Sequence, residues 1–154
     1  MTKNQIIKLL ASGFYSGYSP IVPGTTGTIP AFLIAFFLIG NHPDFIWATA
    51  IVFTLVSVYI SGQAEQLWGH DSKKIVIDEW AGMMTALILV PHSLFNFMVA
   101  FLAFRGFDTI KFFPANVAER LPRGWGVTAD DIVAGIQANI LTQLIIYIKM
   151  VVIK

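Results

Sequence analysis

Phe45–Gly62, FIWATAIVFTLVSVYISG, runs for eighteen residues without a charged side chain. A helix needs roughly 20 mostly apolar residues to cross a bilayer, and this stretch meets that need most clearly in the chain. Working outward, four further apolar stretches qualify in part. Ile29–Gly40 is short and follows a Pro/Gly/Thr run. Ala81–Pro91 and Ser93–Phe104 are short and meet at Pro91-His92. Ile132–Ile153 is long and carries Gln137, Asn139, Gln143 and Lys149. Upstream, Asn4–Phe14 sets Ile6, Ile7, Leu9, Leu10 and Phe14 among Lys3, Asn4 and Lys8, the pattern of an amphipathic helix lying at an interface. The expected fold is all-α: an integral membrane helical bundle with about four to five membrane-embedded helices. Residues 1–154 form one domain, with Phe45–Gly62 and Ile132–Ile153 as the firm spans.

Composition agrees. Hydrophobic residues make up 56% and charged residues 12% of 154, with a mean hydropathy of +0.70. Soluble domains carry about 25% charged residues. A net charge of +1 supplies no basic stripe for nucleic acid. Absence of Cys excludes disulfides and thiolate chemistry. Oligomeric state is not legible.

Lys and Arg set the orientation. They precede the first segment (Lys3, Lys8), follow the second (Lys73, Lys74) and follow the fourth (Arg105, Lys111, Arg120, Arg123). The connectors at Asn41–Asp44 and Pro91-His92 have none; only the tail lysines, Lys149 and Lys154, break the alternation. Glu65, Asp71, Asp78, Glu79, Asp108, Glu119, Asp130 and Asp131 therefore fall on one face, predicted cytoplasmic, and only Asp44 falls opposite. Asp44 reads as an N-cap after Pro43. Glu65 and Glu119 read as ordinary polar surface, and Asp71 is ambiguous.

Four clusters remain. Ser12–Ser19 and Pro23-Gly-Thr-Thr-Gly-Thr28 are dense in glycine and hydroxyls. Backbone N–H groups of such a loop, with Thr25, Thr26 and Thr28 and a helix N-terminus beside it, suit an anion. The plainer reading is a turn, with Thr28 capping a helix from Ile29 and Gly13 with Gly17 as a packing pair. No Lys follows the glycine, so it is no Walker A. Asp78-Glu79 stand at the mouth of an apolar helix, where Asp78 reads either as a cap or, with Glu79, as a cation ligand. Arg105, Asp108 and Lys111 share a helical face at three-residue spacing, an ion-pair ladder or a phosphate site. Thr128 with Asp131 three residues on resembles a capping box, which leaves Asp130 unexplained; Arg123 just before is placed to meet a phosphate, and Trp125 fits an interfacial anchor. His42, His70 and His92 lack zinc-ligand spacing, and no Ser/His/Asp set can be built. Carboxylates alone suit a hard cation, Mg2+ before Ca2+.

In order along the chain, these blocks resemble the phosphatidylglycerophosphatase A family. Gly13–Thr28 resembles its opening, Ile75-Val-Ile-Asp-Glu79 with Gly82 its second block, and Phe104-Arg105 with Phe107-Asp108 and Lys111 its third. Gly124–Gly126 with Asp130-Asp131 and Ala134-Gly135 resembles its fourth. The resemblance implies a bacterial inner-membrane enzyme that removes the terminal phosphate of phosphatidylglycerol phosphate with Mg2+. It places the family's acids on Asp78, Glu79, Asp108, Asp130 and Asp131, and its basic residues on Arg105 and Lys111. Two departures stand out: Phe112 where the family often has Pro, and the basic approach Ser72-Lys73-Lys74 to the second block.

The mechanism expected from these residues has Glu79, Asp108 and one or both of Asp130 and Asp131 holding Mg2+. Arg105 and Lys111 bind the phosphoryl group, and Thr25, Thr26 and Thr28 add donors. Asp78 is a ligand, a general base or a cap. The rival from another class is a small transporter or ion-pathway protein with a carboxylate-lined cavity. A CDP-alcohol phosphotransferase is disfavoured, because its Asp-Gly-x2-Ala-Arg motif is missing.

Overall fold

The structure is a computed structural model that describes residues 1–70 and 72–152. Asp71, Ile153 and Lys154 lie outside the described residues. With them go one ambiguous acid, the end of the fifth predicted segment and one tail lysine.

The described chain is all-α. Two helices, α3 (Pro43–Trp68) and α7 (Gly124–Val152), are long and apolar enough to cross a membrane. Pro43 occupies the first turn of α3, where a missing N–H costs nothing. His42 is the N-cap, so Asp44 is not the expected cap. It sits one position inside, where its charge favours the positive helix end. Helix α7 starts eight residues before the predicted Ile132. Thr128 is therefore no cap: it is buried mid-helix, and its hydroxyl meets Ser57 Oγ of α3 at 2.7 Å. Outward, Ile51, Val52 and Leu55 on α3 and Ile140, Leu144 and Ile148 on α7 are exposed. An apolar exterior of this extent suits lipid rather than water.

Between them lies α4 (Ile77–Ala86), buried at every residue. At ten residues it is about 15 Å long, half the bilayer's apolar core. Its C-terminal carbonyls thus end inside an apolar body, where unpaired polar groups are costly. The polar residues of α7 meet them. Asn139 Nδ2 donates to Ala86 O (3.0 Å) and Ile88 O (2.6 Å), and Gln143 Nε2 donates to Leu89 O (3.0 Å). The crossing of α4 and α7 is tight because Gly82 and Gly135 carry no side chain: a Cβ on Gly82 would lie 2.7 Å from Asp131 O.

Residues 87–93 lead to α5 (Leu94–Ile110), capped by Ser93, whose Oγ accepts the Asn96 N–H at 3.2 Å. Lys111 ends α5 in a left-handed conformation (φ 51°). A short α6 (Ala115–Ala118) precedes α7.

At the N-terminus, α1 (Lys3–Ala11) is fixed by a capping box between Thr2 and Gln5. It stops before Phe14, which is exposed at φ 55°. Helix α2 (Pro23–Ile34) starts where a loop was expected, with Pro23 at its first position and Val22 as N-cap. Thr28 is therefore inside the helix and caps nothing. A five-residue π-helical stretch, Ala35–Ile39, continues α2.

The connectors sort to two ends. Asn41, Pro43 and Leu89–His92 gather around one cavity. The starts of α2, α4 and α7, the end of α5 and the α3–α4 connector gather around another.

Candidate active site

That second cavity, of about 440 Å3, is lined by Asp78, Glu79, Asp108, Asp130 and Asp131, with Lys73, Arg105 and Lys111. The five acids come from three helices. Asp78 and Glu79 occupy the first turn of α4, whose N-cap is Val76; Asp78 is thus not the expected cap. Its Oδ1 accepts the Glu79 N–H at 3.0 Å. Asp130 and Asp131 lie two turns into α7, and Asp130 Oδ1 accepts the Asp131 N–H at 3.1 Å. Asp108 is in the last turn of α5. Asp78, Glu79, Asp130 and Asp131 are buried.

Charge at this depth needs partners. Arg105 Nη1 lies 2.8 Å from Asp108 Oδ2 and 3.4 Å from Glu79 Oε1. Lys111, turned off the end of α5, reaches Asp130 Oδ2 at 2.8 Å and Glu119 Oε1 at 2.6 Å. The i,i+3 ladder predicted for Arg105, Asp108 and Lys111 is thus half right. Arg105 and Asp108 pair along α5, while Lys111 leaves it for α7. Glu119 is no idle surface acid; it helps hold Lys111.

Thr28 sets Glu79. Its hydroxyl donates to Glu79 Oε2 at 2.7 Å and accepts from Arg105 Nη1 at 3.3 Å. Burial is the main reason the Glu79 carboxyl is pushed well above the usual carboxylate range; Asp78 and Asp108 add to this, while Arg105 and the Thr28 hydroxyl oppose it. Glu79 lies outside both long helices. Gly24 permits the close approach of α2. A Cβ there would lie 2.6 Å from Glu79 Oε1 and closer still to the Arg105 guanidinium. The first turn of α2 thereby faces the cavity through Gly24 and Thr25, and its free N–H groups favour an anion.

Two predicted residues are used elsewhere. The Thr26 hydroxyl is turned to the backbone oxygens of Ser16, Val22 and Pro23. Arg123 lines a separate depression with Gly62, Glu65, Gln66 and His70. Conversely, Ser72, Lys73 and Thr109 line the cavity though none was a candidate. The Lys-Lys pair was visible in the sequence; its direction was not.

A cation fits the donor chemistry. All the acids offer hard oxygen, and five carboxylates face three cations, a formal surplus of two negative charges. No group of three or more His, Cys, Asp or Glu forms a ready metal cage among the described residues. Arg105 and Lys111 hold several of these carboxylates instead.

The model of one protein family, phosphatidylglycerophosphatase A, matches residues 9–146. The chain belongs to the phosphatidylglycerophosphatase A family. Among curated relatives, a phosphatidylglycerophosphatase A of Escherichia coli is 38% identical over 138 residues, covering 86% of this chain and 80% of its own. That of Haemophilus influenzae is 33% identical over 145 residues, covering 92% and 89%. A Bacteroides thetaiotaomicron protein provisionally named phosphatidylinositol-3-phosphatase is 33% identical over 141 residues, covering 86% and 89%. No solved structure matches. Family and fold together give this member a phosphatase-type, lipid-processing role in a bacterial membrane.

Proposed function

We propose that the chain hydrolyses the terminal phosphate monoester of phosphatidylglycerol phosphate, giving phosphatidylglycerol and inorganic phosphate, with Mg2+. The work is done at the cytoplasmic leaflet of a bacterial inner membrane, among four to five embedded helices with α1 at the interface. The observation that carries this is the convergence of Asp78, Glu79, Asp108, Asp130 and Asp131 with Arg105 and Lys111 in one cavity, at one end of an apolar bundle.

Phosphoryl transfer is mainly a matter of position and charge, because its transition state spreads negative charge over the phosphoryl oxygens. Glu79, Asp108, Asp130 and Asp131 are the residues to hold Mg2+, which supplies charge neutralisation and lowers the pKa of a bound water. Arg105 keeps its guanidinium at the cavity by pairing with Asp108 and Glu79. The guanidinium lines the cavity there, and its planar fork matches the geometry of a phosphoryl group. Lys111 approaches from the α7 side. Gly24 and Thr25 bring N–H groups from the first turn of α2. Asp78 stands beside Glu79 as the candidate to take a proton from water. Thr28 positions Glu79 without lining the cavity.

Inorganic phosphate release by the purified protein tests this, with phosphatidylglycerol phosphate and phosphatidylinositol 3-phosphate compared side by side. Faster release from the first supports the reading. Release only from the second would replace the substrate and keep the chemistry. Solute flux through proteoliposomes without hydrolysis would support the transporter instead.

A further inference from the structure

Three cations line the cavity, and two are committed to carboxylates: Arg105 to Asp108 and Glu79, Lys111 to Asp130 and Glu119. Lys73 is the third. It is exposed, sits in the connector between α3 and α4, and forms no hydrogen bond or ion pair among the described residues. Its neighbour Lys74 differs. The Lys74 ammonium lies over the rings of Tyr18 (5.6 Å) and Trp68 (5.9 Å) and does not line the cavity.

The same cavity has an apolar lip. Ile21 and Val22 line it just before α2, and Ile21 is 85% exposed. A bare aliphatic side chain beside five carboxylates does nothing for a water-soluble phosphate ester. It does suit the glycerol and upper acyl region of a lipid. A cation on the same rim suits an anion carried by that apolar body. The scissile monoester belongs deeper, among Arg105 and the carboxylates. A lipid with a second phosphate, a diester between that monoester and the glycerolipid, would bring the diester to the rim.

We propose that Lys73 binds this diester phosphate while Ile21 and Val22 seat the lipid beside it, so that the site selects lipids with two phosphates in series over lipids with one. The proposal rests on the phosphatase reading and assigns the inner phosphate to a residue outside the reacting cluster.

The test uses the purified full chain in neutral-detergent micelles of fixed composition, with phosphatidylglycerol phosphate and phosphatidic acid. KM is read where a lipid is turned over, and an inhibition constant where it only competes. Lys73→Gln should raise KM for the two-phosphate lipid about tenfold, as expected for one charge-assisted contact. Its kcat should hold, and the constant for phosphatidic acid should not move. Lys73→Arg should keep most of the affinity, and Lys74→Gln should match wild type on both lipids. An equal effect of Lys73→Gln on both lipids, no effect on either, or an equal effect of Lys74→Gln overturns the proposal while leaving the phosphatase reading intact. A wild-type protein that releases phosphate from neither lipid overturns the proposal, and one that also releases none from phosphatidylinositol 3-phosphate defeats the phosphatase reading with it.

Discussion

Thr28 donates its hydroxyl to Glu79 Oε2 across 2.7 Å, tying the middle of α2 to the first turn of α4. Thr28 is fully buried and Glu79 nearly so. The bond therefore fixes the orientation of a carboxylate that solvent cannot reorient. Thr28→Val keeps the volume and removes the donor. We expect kcat for phosphate release to fall about tenfold, KM to change little, and Thr28→Ser to restore most of the rate.

Gly24 separates activity from folding. Its missing side chain lets α2 meet Glu79 and Arg105, and the first added carbon strikes both. Gly24→Ala should cut activity by at least about tenfold, as misplacement of a reacting group by a fraction of an ångström does. Thermal unfolding in detergent should shift far less, because Ala suits a helix better than Gly.

Much of this was readable in the residues, and the failures share a cause. The acids fall at one end because Lys, Arg and apolar length dictate which connectors share a face, and Asp78, Glu79, Asp108, Asp130 and Asp131 do meet. Helix starts were misread at Pro23, Ile77 and Gly124. Gly and Thr look like loop residues when their tertiary neighbours are unknown, yet here glycine is what close packing demands. Thr28 and Thr128 were read as caps for the same reason. Their hydroxyls serve Glu79 and Ser57, partners 51 and 71 residues away that local pattern cannot supply. Three-residue spacing shows the Arg105–Asp108 ion pair along α5; the pairing of Lys111 with Asp130 instead depends on how α5 leaves its axis at Lys111, which spacing does not show.

Asn139 tests the fold apart from the site. It serves two carbonyls at the end of α4, well away from the carboxylates. Asn139→Leu should lower stability by about 1–2 kcal/mol, read from unfolding in detergent, while KM stays near wild type.

The Glu79 carboxyl, raised mainly by burial, gives a pH signature. Between the ordinary carboxylate pKa and the raised one, the folded chain holds a proton that the unfolded chain has lost. Without metal, stability therefore falls as pH rises through that window. Binding Mg2+ at Glu79 displaces the proton, so apparent Mg2+ affinity should rise with pH over the same window. Calorimetric titration at several pH values, with proton release read from the buffer dependence, checks both signs. Glu79→Gln should flatten the trend.

The most direct test of the carboxylate centre is phosphate release from phosphatidylglycerol phosphate by wild type, Asp108→Asn and Glu79→Gln, each with Mg2+ and with chelator. Wild type should need Mg2+, and both variants should lose about 100-fold or more while unfolding near the wild-type temperature. Full Mg2+-dependent release by both variants would contradict the assignment of this cavity as the active site.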